Sequence, residues 1–308
     1  ITLINYKGVY LNYQQTIKTS LKTIWIVLKL VIPIYILADI LYFYNVLSYV
    51  SFLIEPFTTI IGLPPETSLA IISGMFLNVY AAIAFAAPLD LSIHQWTILT
   101  VFIGICHSLI VEGVIMMKIG ISNVYSYSLR IIAGFIVAFI TAMMPSSWFS
   151  STVVSNTFNH VQYNTINELI YNSTLNALLL TFKIIILITL LIFIMDFIRT
   201  RKLFQSSQKN VSKGFSITVG VILGITYGAG MLIEEAKSGR ISKNDIFYIG
   251  TFLLICHAII EDTLLFVIFG ADFTMAVVIR TIAAIVISYI LLKVYQYKEK
   301  QYLTYNKV

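Results

Sequence analysis

Eight long apolar stretches, four in each half of the chain, decide what this sequence can fold into. They run over Thr23–Leu47, Thr67–Ala87, Trp96–Met117, Ser128–Met144, Ala177–Ile198, Gly214–Ile233, Ile246–Phe269 and Thr274–Leu292. A lipid core offers backbone groups no water, so a spanning segment must satisfy its own hydrogen bonds as a helix or join a closed barrel. These stretches are continuously apolar and do not alternate, which selects helices. Charged residues make up 11% of the 308, against about 25% in a soluble domain. The expected class is an all-α polytopic membrane protein in contact with the lipid bilayer.

One motif occurs twice. Phe102–Gly113 reads FIGICHSLIVEG and Phe252–Thr263 reads FLLICHAIIEDT, 150 residues apart, and they hold both cysteines and two of the four histidines. At the same offset of 150, Gly74 matches Gly224, Ser92 matches Ser242, Gly120 matches Gly270 and Arg130 matches Arg280. Lys29 and Lys183 correspond with a small shift. The chain is therefore a duplication. The expected layout is an interfacial segment over 1–22, a first repeat over 23–144, a loop over 145–173, a second repeat over 174–296 and a tail over 297–308.

Loop charges orient the halves. Basic residues crowd the N-terminal segment, the loop at 199–213, the loop at 237–243 and the C-terminal tail, whereas 145–176 has no Lys or Arg. Basic loops stay cytoplasmic, which places both termini inside and 145–176 outside. The +6 charge thus serves orientation, and nucleic acid is not an expected partner. Each half must cross an odd number of times, yet each has four apolar stretches. The Gly-rich Thr67–Ala87 and Gly214–Ile233 are expected to enter and leave on one face. Each repeat then has about three crossing helices plus one re-entrant hairpin, and the two repeats are inverted. This build is common in secondary transporters. An ordinary eight-helix bundle is the alternative.

Ionisable groups inside a bilayer are costly and mark pathways or paired sites. His257 and Glu261 share a face if their helix is continuous, and Asp262 lies about 100° round from Glu261. Val111 replaces the glutamate in the first copy, leaving His107 and Glu112. These five residues could relay protons or ligate a divalent metal ion carried as substrate. The plainer alternative is that His–carboxylate hydrogen bonds lock two helices together. Cys106 and Cys256 read as small buried hydrophobes. Arg130 and Arg280 lie near helix starts, where snorkelling to the interface is expected; binding an anionic solute or the carboxylates is the other reading. Lys29 and Lys183 read the same way. Asn78, Tyr80, Thr226 and Tyr227 sit on the hairpins, where they contact a substrate or pack the hairpin. Asp196 is expected at the interface. No nucleotide-binding loop, nucleophile elbow or HExxH helix is present, so no enzymatic activity is expected.

In these Cys-His stretches and Gly-rich hairpins the sequence resembles the nucleoside-recognition gate domain family, over about 23–144 and 174–296. Related gate domains occur in the concentrative nucleoside transporters and in the ferrous iron transporter FeoB. The FeoB likeness implies a divalent metal; the nucleoside transporter likeness implies a solute between hairpin tips. The expected function is a secondary transporter working by alternating access in the cytoplasmic membrane, moving a divalent metal or other cation with proton coupling. A carrier of a nucleoside-like or small anionic solute and a non-transporting scaffold are the alternatives. A homodimer is compatible with either.

Overall fold

A computed structural model describes residues 13–44, 46, 55–150, 163–199, 213–225 and 241–305. Among the described residues every regular element is helical. In order they are α1 (Tyr13–Phe43), α2 (Glu55–Ile60), α3 (Ser68–Phe76), α4 (Val79–Ala86), α5 (Ile93–Cys106), α6 (Leu109–Met117), α7 (Asn123–Ala142), α8 (Ile166–Arg199), α9 (Lys213–Leu223), α10 (Lys243–Ile255), α11 (Ile259–Val267) and α12 (Phe273–Tyr305). With α5–α6 and α10–α11 each taken as one crossing, six segments of the described residues are long and apolar enough to span a bilayer. The chain is an integral membrane protein.

The expected boundary at residue 22 falls inside α1. α1 begins by Tyr13 and runs unbroken past it, since no Gly or Pro lies between Tyr13 and Pro33. Residues 1–12 lie outside the described part.

α1 and α8 pack antiparallel. Thr16 Oγ1 at the start of α1 donates to Asp196 Oδ2 near the end of α8, 2.6 Å away. At the other end Ser173 of α8 donates to Asp39 of α1. Thr16 and Ser173 are 157 residues apart, as are Asp39 and Asp196. The two bonds are therefore one contact made twice, across an approximate two-fold axis. The buried pairs Val27 and Ile184, and Val31 and Ile188, keep the same offset. Lys29 and Lys183 do not correspond in this register. Both lie exposed, with Lys29 Nζ 5.6 Å from the centre of the Trp25 ring.

The broken helices repeat the inversion. Trp96 near the start of α5 stacks on Phe269 just beyond α11, with ring centres 5.0 Å apart. Asp272 N donates to Thr97 Oγ1 at 2.9 Å. Reciprocally, Gly250 early in α10 lies against Met116 at the end of α6 and Ile121 beyond it. The start of each meets the end of the other, so α5–α6 and α10–α11 run in opposite directions.

The Gly-rich hairpin of the first half is α3 and α4, broken at Leu77–Asn78. Its counterpart is visible only as α9 and the residues to Ile225. Here the sequence match at 150 slips. Gly74 O accepts from Ser108 N, whereas Gly220 O, and not Gly224, accepts from Ala258 N. A Cβ on Gly74 would lie 2.5 Å from Ile103, and one on Gly220 would lie 2.4 Å from Leu253. The hairpin offset is thus 146. Gly224 takes the place of Asn78, and its φ of +83° is one that glycine adopts without strain.

Candidate functional site

Both Cys-His helices break one residue after the histidine. Ser108 and Ala258 have φ of 49° and 44°, a left-handed conformation that costs an L-residue roughly 1–2 kcal/mol. The hairpins offset that cost. Ser108 N donates to Gly74 O at 3.0 Å and Ser108 Oγ to Leu77 O at 3.1 Å. Ala258 N donates to Gly220 O at 3.4 Å. The end of α3 thus holds the first break, and α9 holds the second.

A broken helix leaves carbonyls without intrahelical partners, which lipid cannot satisfy. Side chains supply donors instead. Arg130 Nε reaches Ile105 O and its Nη2 reaches His107 O, both at 2.6 Å. Arg280 Nη2 reaches Gly104 O at 2.6 Å and His257 O at 3.1 Å. Both arginines are fully buried. The expected snorkelling to the interface is wrong, because the freed carbonyls in the interior are the stronger attraction.

The histidines do the same with one nitrogen only. His107 Nδ1 lies 2.9 Å from Ile103 O and His257 Nδ1 lies 2.7 Å from Leu253 O. A carbonyl can only accept, so each Nδ1 carries hydrogen. In the neutral ring this leaves the lone pair on Nε2, and in the protonated ring Nε2 donates as well. Both Nε2 atoms point at one carboxylate oxygen: Glu112 Oε1 is 3.1 Å from His107 and 3.2 Å from His257. The two rings are 5.1 Å apart. Glu112 Oε2 lies 2.7 Å from Arg130 Nη1, an ion pair without good hydrogen-bond alignment. Asp262 Oδ2 lies 3.8 Å from His107 Nε2 and 3.9 Å from Arg280 Nη2, and is a buried acceptor with no hydrogen-bond partner.

The structure thus brings His107, Glu112, His257, Asp262, Arg130 and Arg280 together. Glu261 is not part of this convergence. The shared face expected for His257 and Glu261 fails because the helix breaks between them, and His257 instead meets Glu112 of the other repeat. Glu261 is half-buried and engaged elsewhere. Asn78 caps α4, its Oδ1 accepting from Ala81 N at 3.0 Å. Tyr80, half-buried on α4, lies within electrostatic reach of Glu261 and Asp262. Thr226 and Tyr227 lie outside the described residues. Cys106 and Cys256 are free and fully buried. Cys106 Cβ lies against Gly134 of α7. Sequence reasoning missed Gly104. A Cβ there would lie 2.6 Å from Arg280 Cζ, so its lack of a side chain admits the guanidinium.

Comparison with known proteins adds one relative. The chain is similar to the "Uncharacterized membrane protein YvoD" of Bacillus subtilis (strain 168), 27% identical over 279 residues, covering 87% of this chain and 89% of that protein. No family model matches, and no solved structure matches.

Proposed function

We propose that the chain is a secondary carrier that moves a cation across the membrane by alternating access, exchanging it with protons at the central His–carboxylate cluster. One observation carries this reading. Two imidazole Nε2 atoms, whose rings already give their Nδ1 hydrogens to backbone carbonyls, lie 3.1 and 3.2 Å from one buried carboxylate oxygen. Acceptors so close repel unless a cation, a proton included, lies among them. The antiparallel equivalent helices and the breaks held by α3 and α9 support the carrier reading, since such carriers bind their substrate at discontinuous helices near the midplane. The resemblance to gate domains points the same way. Arg130 is occupied by two backbone carbonyls and the Glu112 carboxylate, which favours a cationic over an anionic solute beside it.

The test is flux in proteoliposomes carrying an internal metal-sensitive dye. An imposed pH gradient is expected to drive uptake of a divalent cation, and Glu112→Ala to reduce it to the level of empty liposomes. Uptake of an organic solute that survives chelation would replace the cation by that solute. No flux of any solute, with Glu112→Ala indistinguishable from the parent, would leave a scaffold.

The same reading places both termini in the cytoplasm, in the inner membrane. A cysteine at Asn164 is expected to react with an impermeant maleimide in intact cells, and one at Lys300 only after permeabilisation. The native thiols are buried. Labelling in the reverse order would overturn this orientation.

A further inference from the structure

The cluster has a donor set that discriminates among cations, and this inference rests on the carrier reading above. One ligand atom from each of His107, His257 and Asp262 lies within 4.8 Å of the other two, and all three residues are buried. They come from both repeats, so the set exists only where the two broken helices face each other. Each imidazole is oriented by a hydrogen bond from Nδ1 to a backbone carbonyl. That is the second-shell arrangement that fixes a metal-ligating histidine with Nε2 as its donor. Asp262 Oδ2 is independently marked out, being buried, without a hydrogen-bond partner and facing His107.

We infer that His107 Nε2, His257 Nε2 and an Asp262 carboxylate oxygen form a tripod for a divalent transition-metal ion of the zinc, iron(II) or cobalt(II) class. Two imidazoles and one carboxylate suit such ions. Magnesium and calcium prefer shells of oxygen donors. Copper(I) and other thiophilic ions prefer sulfur, and among the described residues no cysteine belongs to this group. Ligand bonds to such ions run about 2.0–2.2 Å, so binding draws the three atoms together around one centre. Glu112 already touches both imidazoles from its anchor on Arg130. It supplies the negative charge beside the ion while Arg130 limits its movement.

Cobalt(II) is the probe, added to the purified full-length protein in detergent and followed by visible absorption. One equivalent is expected to give an intense ligand-field band. Zinc should abolish the band, and magnesium or calcium in large excess should not. His257→Ala and Asp262→Ala are expected to weaken cobalt binding at least about tenfold. Asp196→Asn, at the far end of the α1/α8 pair, should leave it unchanged. Each variant is first required to elute as a single species with the parent's thermal transition. A weak octahedral spectrum, or displacement by magnesium, would overturn the assignment of metal class. Flux of another cation without any cobalt band would overturn the tripod and leave the carrier reading standing. Absence of both band and flux would overturn both.

Discussion

Replacing Arg130 by methionine is expected to be the most damaging single change in the membrane core. The guanidinium uses all three nitrogens: Nε on Ile105 O, Nη2 on His107 O and Nη1 beside Glu112. Its loss leaves two carbonyls of a broken helix without donors and a buried carboxylate without its cation. Breaking a buried pair from one side costs about 3–5 kcal/mol, so the melting temperature in detergent should fall by on the order of 10 °C. Lysine should not rescue it, because one ammonium cannot reach three divergent acceptors. Arg280→Met is expected to cost less, since Nε and Nη1 of Arg280 have no hydrogen-bond partner and Asp262 is 3.9 Å away. Equal losses for the two variants would contradict the asymmetry of the site.

The sequence already pointed to much of this fold. Long uncharged runs pointed to helices, and the repeated motif with its loop charges pointed to inverted halves, with an eight-helix bundle as the alternative. The reciprocal Thr16–Asp196 and Ser173–Asp39 bonds are the contacts that such an inversion makes. His107, Glu112, His257 and Asp262 stood out because ionisable side chains are expensive in lipid. The breaks after the histidines were not legible. Ser108 and Ala258 are neither Gly nor Pro, and their left-handed backbone is imposed by hairpins far away in the chain. With the breaks hidden, helical spacing assigned Glu261 to His257 and sent the arginines to the interface. The freed carbonyls that hold those arginines existed nowhere in the pattern of side chains. A fixed offset of 150 also hid two register changes, to 157 in the first helices and 146 in the hairpins, because the loops between them differ in length.

Gly104→Ala should have the second largest effect, and it tests how the halves are joined. The new methyl would lie 2.6 Å from Arg280 Cζ and 2.7 Å from its Nη1. Arg280 would then have to leave Gly104 O, beyond the usual overpacking cost of about 1–3 kcal/mol. If that displacement is the cause, Gly104→Ala should be far less harmful once Arg280 is methionine, with a coupling energy of about 0.5–3 kcal/mol in the double-mutant cycle. Simple additivity would show that the glycine serves close helix packing alone. The position matters because Leu254 occupies the equivalent place in the second repeat. The hydrogen bonds and ion pair given for Arg130 stay within its own half, while Arg280 crosses to α5 and His257 crosses to Glu112. Contacts across the repeats are those that a carrier must break to change the face it opens. Gly104→Ala should therefore alter cation flux in proteoliposomes more than cobalt affinity. A variant that lost affinity and flux in equal proportion would place Gly104 in the binding site and not at the moving interface.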